Sequence, residues 1–281
     1  MIVISLDIET TGDRIPIEKW DVMKNPQQKD ALFAIGYAYG TDEDHIIEAG
    51  RIVRSIKPKD STISWKEHWK NKGWERHTGE WWWKHKKVLN ELQTSQMINA
   101  QNTRDMMRQF NDVMQKVKSI CNNELTIVSD TSTFDLPWLC ALLEYYNFPS
   151  MSIIHSTTDA DNIFIRAVNV KSYISGLVDS AHTCFGVDKD AMKKRLQMHG
   201  RHYISNCHDP QYDALNIIYT YFHAVKCFKT CVLAQCMEEG KRAQIVGLHS
   251  DHEIQSSSKR ARSDDESLEE TNKESTADND S

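Results

Sequence analysis

Apolar residues recur along this chain at two spacings, and the change from one to the other marks its elements. A short apolar run, Met1 to Ile8, ends in Asp7-Ile8-Glu9 and a Thr10-Thr11-Gly12 turn, which predicts a first strand. Asp13 to Lys29 is polar and holds Pro16 and Pro26, the composition of a loop. Ala31 to Gly40 and Ile46 to Val53 alternate around the polar turn Thr41 to Asp44. That pattern predicts an antiparallel hairpin beside the first strand, leaving the acidic pair on an edge-accessible part of a mixed sheet.

Helical spacing takes over afterwards. Thr78 is placed to cap a helix that runs past Trp81 to Val88 and Leu92. From Thr103 to Cys121, the residues Met106, Met107, Phe110, Val113, Met114 and Val117 form one apolar stripe. Leu125 to Ser129 reads as a short buried strand, and Asp130 to Thr133 lead into a helix from Phe134 to Glu144 with Pro137 in its first turn. A further short strand is predicted at Ser152 to Ser156, and a helix at Val170 to Gly186 closed by its glycine. Asp188 to His202, rich in Lys, Arg and His, reads as a loop or short helix. Asp209 as N-cap and Pro210 at the first helical position then open a long helix toward Ala234.

Charge divides the chain differently. Ser250 to Ser281 carries ten Asp/Glu against four Lys/Arg and has no apolar periodicity, so the net charge of −6 belongs to a tail expected to be disordered, after a domain over residues 1–249. Residues 51–90 carry eleven Lys/Arg against four Asp/Glu, interleaved with Trp65, Trp69, Trp74, Trp81, Trp82 and Trp83. Cations that track phosphates and aromatic faces that stack on bases suit a single-stranded nucleic acid, although about half of these Trp are expected simply to pack. The seven cysteines are scattered with no Cys-x-x-Cys pair, which disfavours both disulfides and zinc. Cys227, Cys231 and Cys236 read as helix-face packing. With no long apolar span and no N-terminal leader pattern, the chain is expected to have no membrane association and to stay inside a cell, cytoplasmic or nuclear. Lys259-Arg260-Ala261-Arg262 has the look of a nuclear-import signal, and Ser263-Asp264-Asp265-Glu266 of an acid-directed kinase site.

Three places carry candidate chemistry. Asp7 and Glu9, two apart on a strand, project to one side and can bracket a hard divalent cation, two solvated acids being the alternative. Asp135, in the first turn of its helix after Phe134, suits the helix dipole either as a capping acid or as a ligand, with Asp130 as its rival. His208 lies just outside the late helix and Asp213 one turn inside it, so both can face one point.

In that order and context, Asp7/Glu9, Asp135 and His208/Asp213 resemble the three motifs of the DEDDh superfamily of 3'-5' exonucleases (RNase T-like, DnaQ-like), over roughly Met1 to Ala224. The stretch from His77 to Trp83 is similar to the Thr-then-Trp-Trp helix of the phage and bacterial exoribonuclease branch, which leans the reading toward RNA over DNA. The resemblance implies an α/β, RNase H-like fold and two divalent metals, Mg2+ or Mn2+. Asp7 would bridge both, Glu9 and Asp213 would complete the first site, and Asp135 would support the second. His208 would be the general base, with Thr10, Thr11, Phe134, Trp81 and Trp82 on the substrate side. Nucleoside 5'-monophosphates would be released. Relatives often form homodimers, and a polymerase or import factor could dock on the tail or the Trp region. A nucleic-acid-binding or proofreading scaffold module without turnover is the alternative.

Overall fold

A computed structural model describes residues 1–12, 30–57, 64, 67, 76–122, 124–149, 164–200, 208–231, 234 and 237. The sequence readings on residues 13–29, 152–156 and 250–281, and on Trp65, Trp69, Trp74 and Cys236, lie outside the described residues. The chain divides into two compact units, Met1–Phe228 and Lys229–Ser281, and the sheet and site described below belong to the first.

Five strands form one mixed sheet: β1 (Ile2–Thr10), β2 (Leu32–Gly40), β3 (Ile46–Val53), β4 (Glu124–Ser129) and β5 (Phe164–Asn169), in the order β3-β2-β1-β4-β5. β2 is antiparallel to both β1 and β3, while β1, β4 and β5 run parallel. The helices are α1 (Arg76–Lys84), α2 (Lys86–Leu92), α3 (Thr103–Ile120), α4 (Ser132–Tyr145), α5 (Val170–Phe185), α6 (Lys189–Gly200) and α7 (210–231). This is the RNase H-like α/β architecture expected from the sequence.

The two-residue period of β1 separates two cores. Ile2, Ile4, Leu6 and Ile8 point into a cluster with Met106, Phe110, Met114 and Val117 of α3 and Trp138 and Leu142 of α4. Val3, on the other face, packs with Val128, Val168 and Ala214, Ile218 and Tyr221 of α7. Ser5, on that same face, is buried and donates to the carbonyls of Ala38 and Ala214 at 3.1 and 2.6 Å, tying α7 down. Continuing the alternation, Asp7 and Glu9 emerge on the α7 side where β1 ends. A third cluster, in which Phe33 and Val53 meet Trp82, Leu89 and Leu92, seats α1 and α2 at the same end of the sheet.

Four expectations need correction. β1 is the central strand, so the acidic pair is reached from the strand end, where β4 has stopped pairing at Leu6 while β2 still flanks Asp7 and Glu9. Helix α1 includes Thr78 as its third residue, and the helical run breaks at His85, where α2 begins. Pro137 is the sixth residue of α4, beyond the first turn, so it removes an intrahelical hydrogen bond that the buried, apolar surroundings of this helix outweigh. β5 was not foreseen: as an edge strand it buries only Ile165 and Val168, too sparse an apolar pattern to read. The Asp188 to His202 segment holds helix α6, and Gly186 closes α5 in the left-handed conformation, φ 64°.

Candidate active site

The carboxyl ends of parallel strands in an open sheet face a crevice that the following helices line. Here that crevice lies where β1 and β4 end. Asp7 and Glu9 enter it from β1. Asp135 arrives on the first turn of α4 and is buried, 4% exposed. Asp213 arrives on the first turn of α7, and His208 on the residues just before it. One ligand atom from each of Glu9, His208 and Asp213 lies within 4.8 Å of the other two.

The approach of α7 depends on a glycine. Gly36 pairs with Asp7 on one side and with Arg51 on the other. A Cβ there would stand 1.7 Å from the Pro210 carbonyl oxygen, so only a bare backbone lets the helix start rest on the sheet beside Asp7. Arg51 reaches across this glycine to an ion pair with Asp209. Asp209 also accepts from the Gln211 N–H at 3.1 Å and so caps α7 as expected. His208 is left with φ +72°, an uncommon conformation for a non-glycine residue, and its backbone N–H donates to Asp213 at 2.8 Å.

Asp130, the rival to Asp135, is engaged elsewhere. Its carboxylate pairs with Lys171 at 2.5 Å and its carbonyl accepts from Asn169.

Electrostatically the cluster is uncompensated. Burial, followed by the charges of Glu9, Asp135, Asp213 and Asp130, holds the Asp7 carboxyl well above its ordinary range. Glu9 is raised for the same reasons, burial first and then Asp213, Asp135 and Asp209. Burial lifts Asp135 to about 7, against backbone N–H groups of Thr131 and Ile8 that favour its charged form. Asp213 is lifted to about 6, also by burial. Among the described residues, Asp7 Oδ2 is buried with no hydrogen-bond partner. Carboxylates crowded at this density, one with an orphaned oxygen, form a donor set that fits a hard divalent cation. His208 is lowered from its ordinary value, by burial and then by His85.

Beside the carboxylates lies an open cavity of about 320 Å3, lined by Glu9, Thr10 and Gly12 of the β1 end, Phe134 of α4, and His77, Thr78 and Trp81 of α1. Trp82 touches its wall but is only 1% exposed. It packs edge-on against Phe33 and donates from Nε1 to the Thr10 carbonyl at 2.8 Å, pinning α1 over the end of β1. Thr10 and Thr11 are buried as well, their hydroxyls turned to the carbonyls of Gly12 and Ala31. Trp83 is exposed, with Lys86 Nζ 5.6 Å from its ring centre. Sequence reasoning missed Gly36, Arg51 and His85. For His85 a signal existed: it stands four residues after Trp81, a spacing that brings two side chains together over one helical turn.

No family model matches the chain, and no curated protein matches it. Among solved structures it is similar to exonuclease I, in a structure described as suggesting how processivity is achieved, at 12% identity and a TM-score of 0.41 over 82% of this chain and 41% of that one. E. coli exonuclease I in complex with a dA16 oligonucleotide gives 10% identity and a TM-score of 0.42, over 80% of this chain and 41% of the other. The zinc-ion-bound complex of the E. coli enzyme with ssDNA gives 12% and 0.40, over 82% and 40%. This chain thus spans about two-fifths of the length of those proteins.

Proposed function

We propose that this chain is a divalent-metal-dependent 3'-5' exonuclease that hydrolyses single-stranded nucleic acid to nucleoside 5'-monophosphates. The observation that carries the reading is the convergence of four carboxylates with raised pKa and one histidine on a single strand end, beside a cavity walled by Trp81 and Phe134. Mutually repelling buried acids are costly to a fold, and a cation among them offsets that cost.

Asp7, Glu9, Asp135 and Asp213 would hold Mg2+ or Mn2+. Such cations supply a water of lowered pKa and stabilise negative charge on a leaving oxygen. His208 acts as general base: its imidazole, kept neutral by burial, takes the proton of the attacking water. Phe134 and Trp81 hold the terminal base between apolar walls, in a space within the ~300–1,000 Å3 of ordinary ligand pockets. The Thr-then-Trp-Trp helix favours RNA over DNA, and the assay below compares the two.

The test is degradation of 5'-labelled single-stranded RNA and DNA of matched sequence with Mg2+ or Mn2+, alongside Asp7→Ala and His208→Ala. A ladder shortening from the 3' end and lost in both variants is expected. Folded protein that binds either strand but cuts neither would leave a binding module in place of the enzyme.

A further inference from the structure

His208 lacks the usual support of a catalytic base. A histidine in that role is ordinarily oriented by a carboxylate or carbonyl hydrogen-bonded to its second ring nitrogen. Among the described residues no hydrogen bond holds the His208 ring; only its backbone N–H is engaged, by Asp213. Its backbone is also in an uncommon conformation, at φ +72°. What touches the ring is aromatic: Trp81 meets it edge-on at 4.5 Å between ring centres and 88° between planes, and His85 lies 5.1 Å away at 67°.

Trp81 is itself held by His85. The two rings lie 4.1 Å apart, tilted by 30°, so His85 covers one face of the indole. His85 Nδ1 is 2.9 Å from the Trp81 carbonyl oxygen. A carbonyl only accepts, so Nδ1 carries the proton, and the imidazole is locked over the turn from which Trp81 projects. The same residue sits at the break between α1 and α2, where its backbone N–H is shared between the carbonyls of Trp81 and Trp82 at 3.1 Å each. Trp82, crossing Trp81 edge-on at 4.7 Å, is anchored in the core. Trp81 is therefore fixed on two sides, by His85 and by Trp82, and its ring stands edge-to-face with His208.

We infer that His85 is a positioning residue for the general base: through Trp81 it fixes the ring of His208, doing by aromatic packing what a hydrogen-bonded carboxylate does elsewhere. This rests on the exonuclease reading for its catalytic consequence, but not for its structural one. Displacing a base by about 1 Å can cost up to ~100-fold in rate, so partial loosening should cost about tenfold.

The experiment compares full-length wild type, His85→Ala and His85→Phe with Mn2+ and a 5'-labelled single strand, and follows the His208 ring Cε1–H resonance by NMR. His85→Ala should lower kcat about tenfold with KM within about twofold, while His85→Phe, which keeps the stacked ring, should recover most of the loss. The His208 resonance should move in His85→Ala and stay near its wild-type position in His85→Phe, since it reports the aromatic rings packed around it, Trp81 and the ring at position 85. Unchanged kcat in a folded His85→Ala, or a raised KM at constant kcat, would overturn the inference. So would failure of a folded His85→Phe to recover activity. If wild type cuts no strand yet the resonance follows this pattern, the positioning role stands and the exonuclease reading falls. If wild type cuts and the resonance is indifferent to both variants, the reverse holds.

Discussion

Two acidic centres stand on one sheet, two strands apart, and they are kept in opposite states. Glu48 of β3 accepts from the hydroxyls of Tyr37 at 3.0 Å and Tyr39 at 2.8 Å and pairs with Lys116 of α3. With the Lys116 ammonium as first cause, its carboxyl is held below the ordinary range. At the end of β1, Asp7, Glu9, Asp135 and Asp213 face one another and are all held above it, burial being the first cause for each. One centre is finished by its own side chains and serves the fold. The other is left open in charge, which costs stability unless a ligand completes it.

Four changes should separate the two centres. The largest effect is expected from Asp7→Asn, which should lower the cleavage rate by on the order of 10^3-fold, while Glu48→Gln leaves it within about twofold. Metal-free Asp7→Asn should nonetheless melt no lower than wild type, because it removes a buried unpaired charge. An active Asp7→Asn, or an inactive Glu48→Gln that is folded, would dissolve the contrast.

Next comes Gly36→Ala. The added Cβ meets backbone at the start of α7, which cannot yield as a side chain could, so a loss of about 3 kcal/mol or more is expected in urea unfolding. The Glu48 centre makes no use of that contact.

A smaller effect is expected from cations. At pH 8, Mn2+ at ~100 times its Kd should stabilise the protein by about 2.7 kcal/mol, read as a raised Tm. The gain should vanish in Asp7→Asn and persist in Glu48→Gln.

The pH dependence of the metal-free protein should show the two signs directly. Asp135 and Asp213, with folded values of about 7 and about 6 against an ordinary 3.8, bind protons more tightly folded than unfolded. Their contribution is full below about 4 and is lost as pH rises toward 7. Asp135→Asn should therefore flatten the fall of Tm between about pH 4 and 7. Glu48, lowered, contributes above its ordinary 4.5 and loses that contribution as pH falls. Being partly exposed, it is worth only about 1 kcal/mol, so Glu48→Gln should be the mildest change of the four.

Much of this was legible beforehand. The β2–β3 hairpin, the α3 stripe and the capped start of α7 are local patterns, in which spacing and cap chemistry act between neighbours in sequence. The chain positions of Asp7, Glu9, Asp135, His208 and Asp213 could be picked out because each stands at a strand end or a helix start. β5, the break at His85 and the depth of Pro137 in α4 were not legible, since a sparse edge strand and a burial-stabilised proline depend on what packs against them.

By itself, the sequence determined which residues could carry charge into a crevice and which alternation would hold them there, because the two-residue period of β1 is a property of any extended chain. Tertiary structure alone decided that β1 would be central, that Gly36 would seat α7 against Asp7, and that Trp82 would be buried while its neighbour Trp81 faces His208. Those outcomes depend on surfaces brought together from distant parts of the chain, and no local spacing encodes which face of a helix a distant strand will cover.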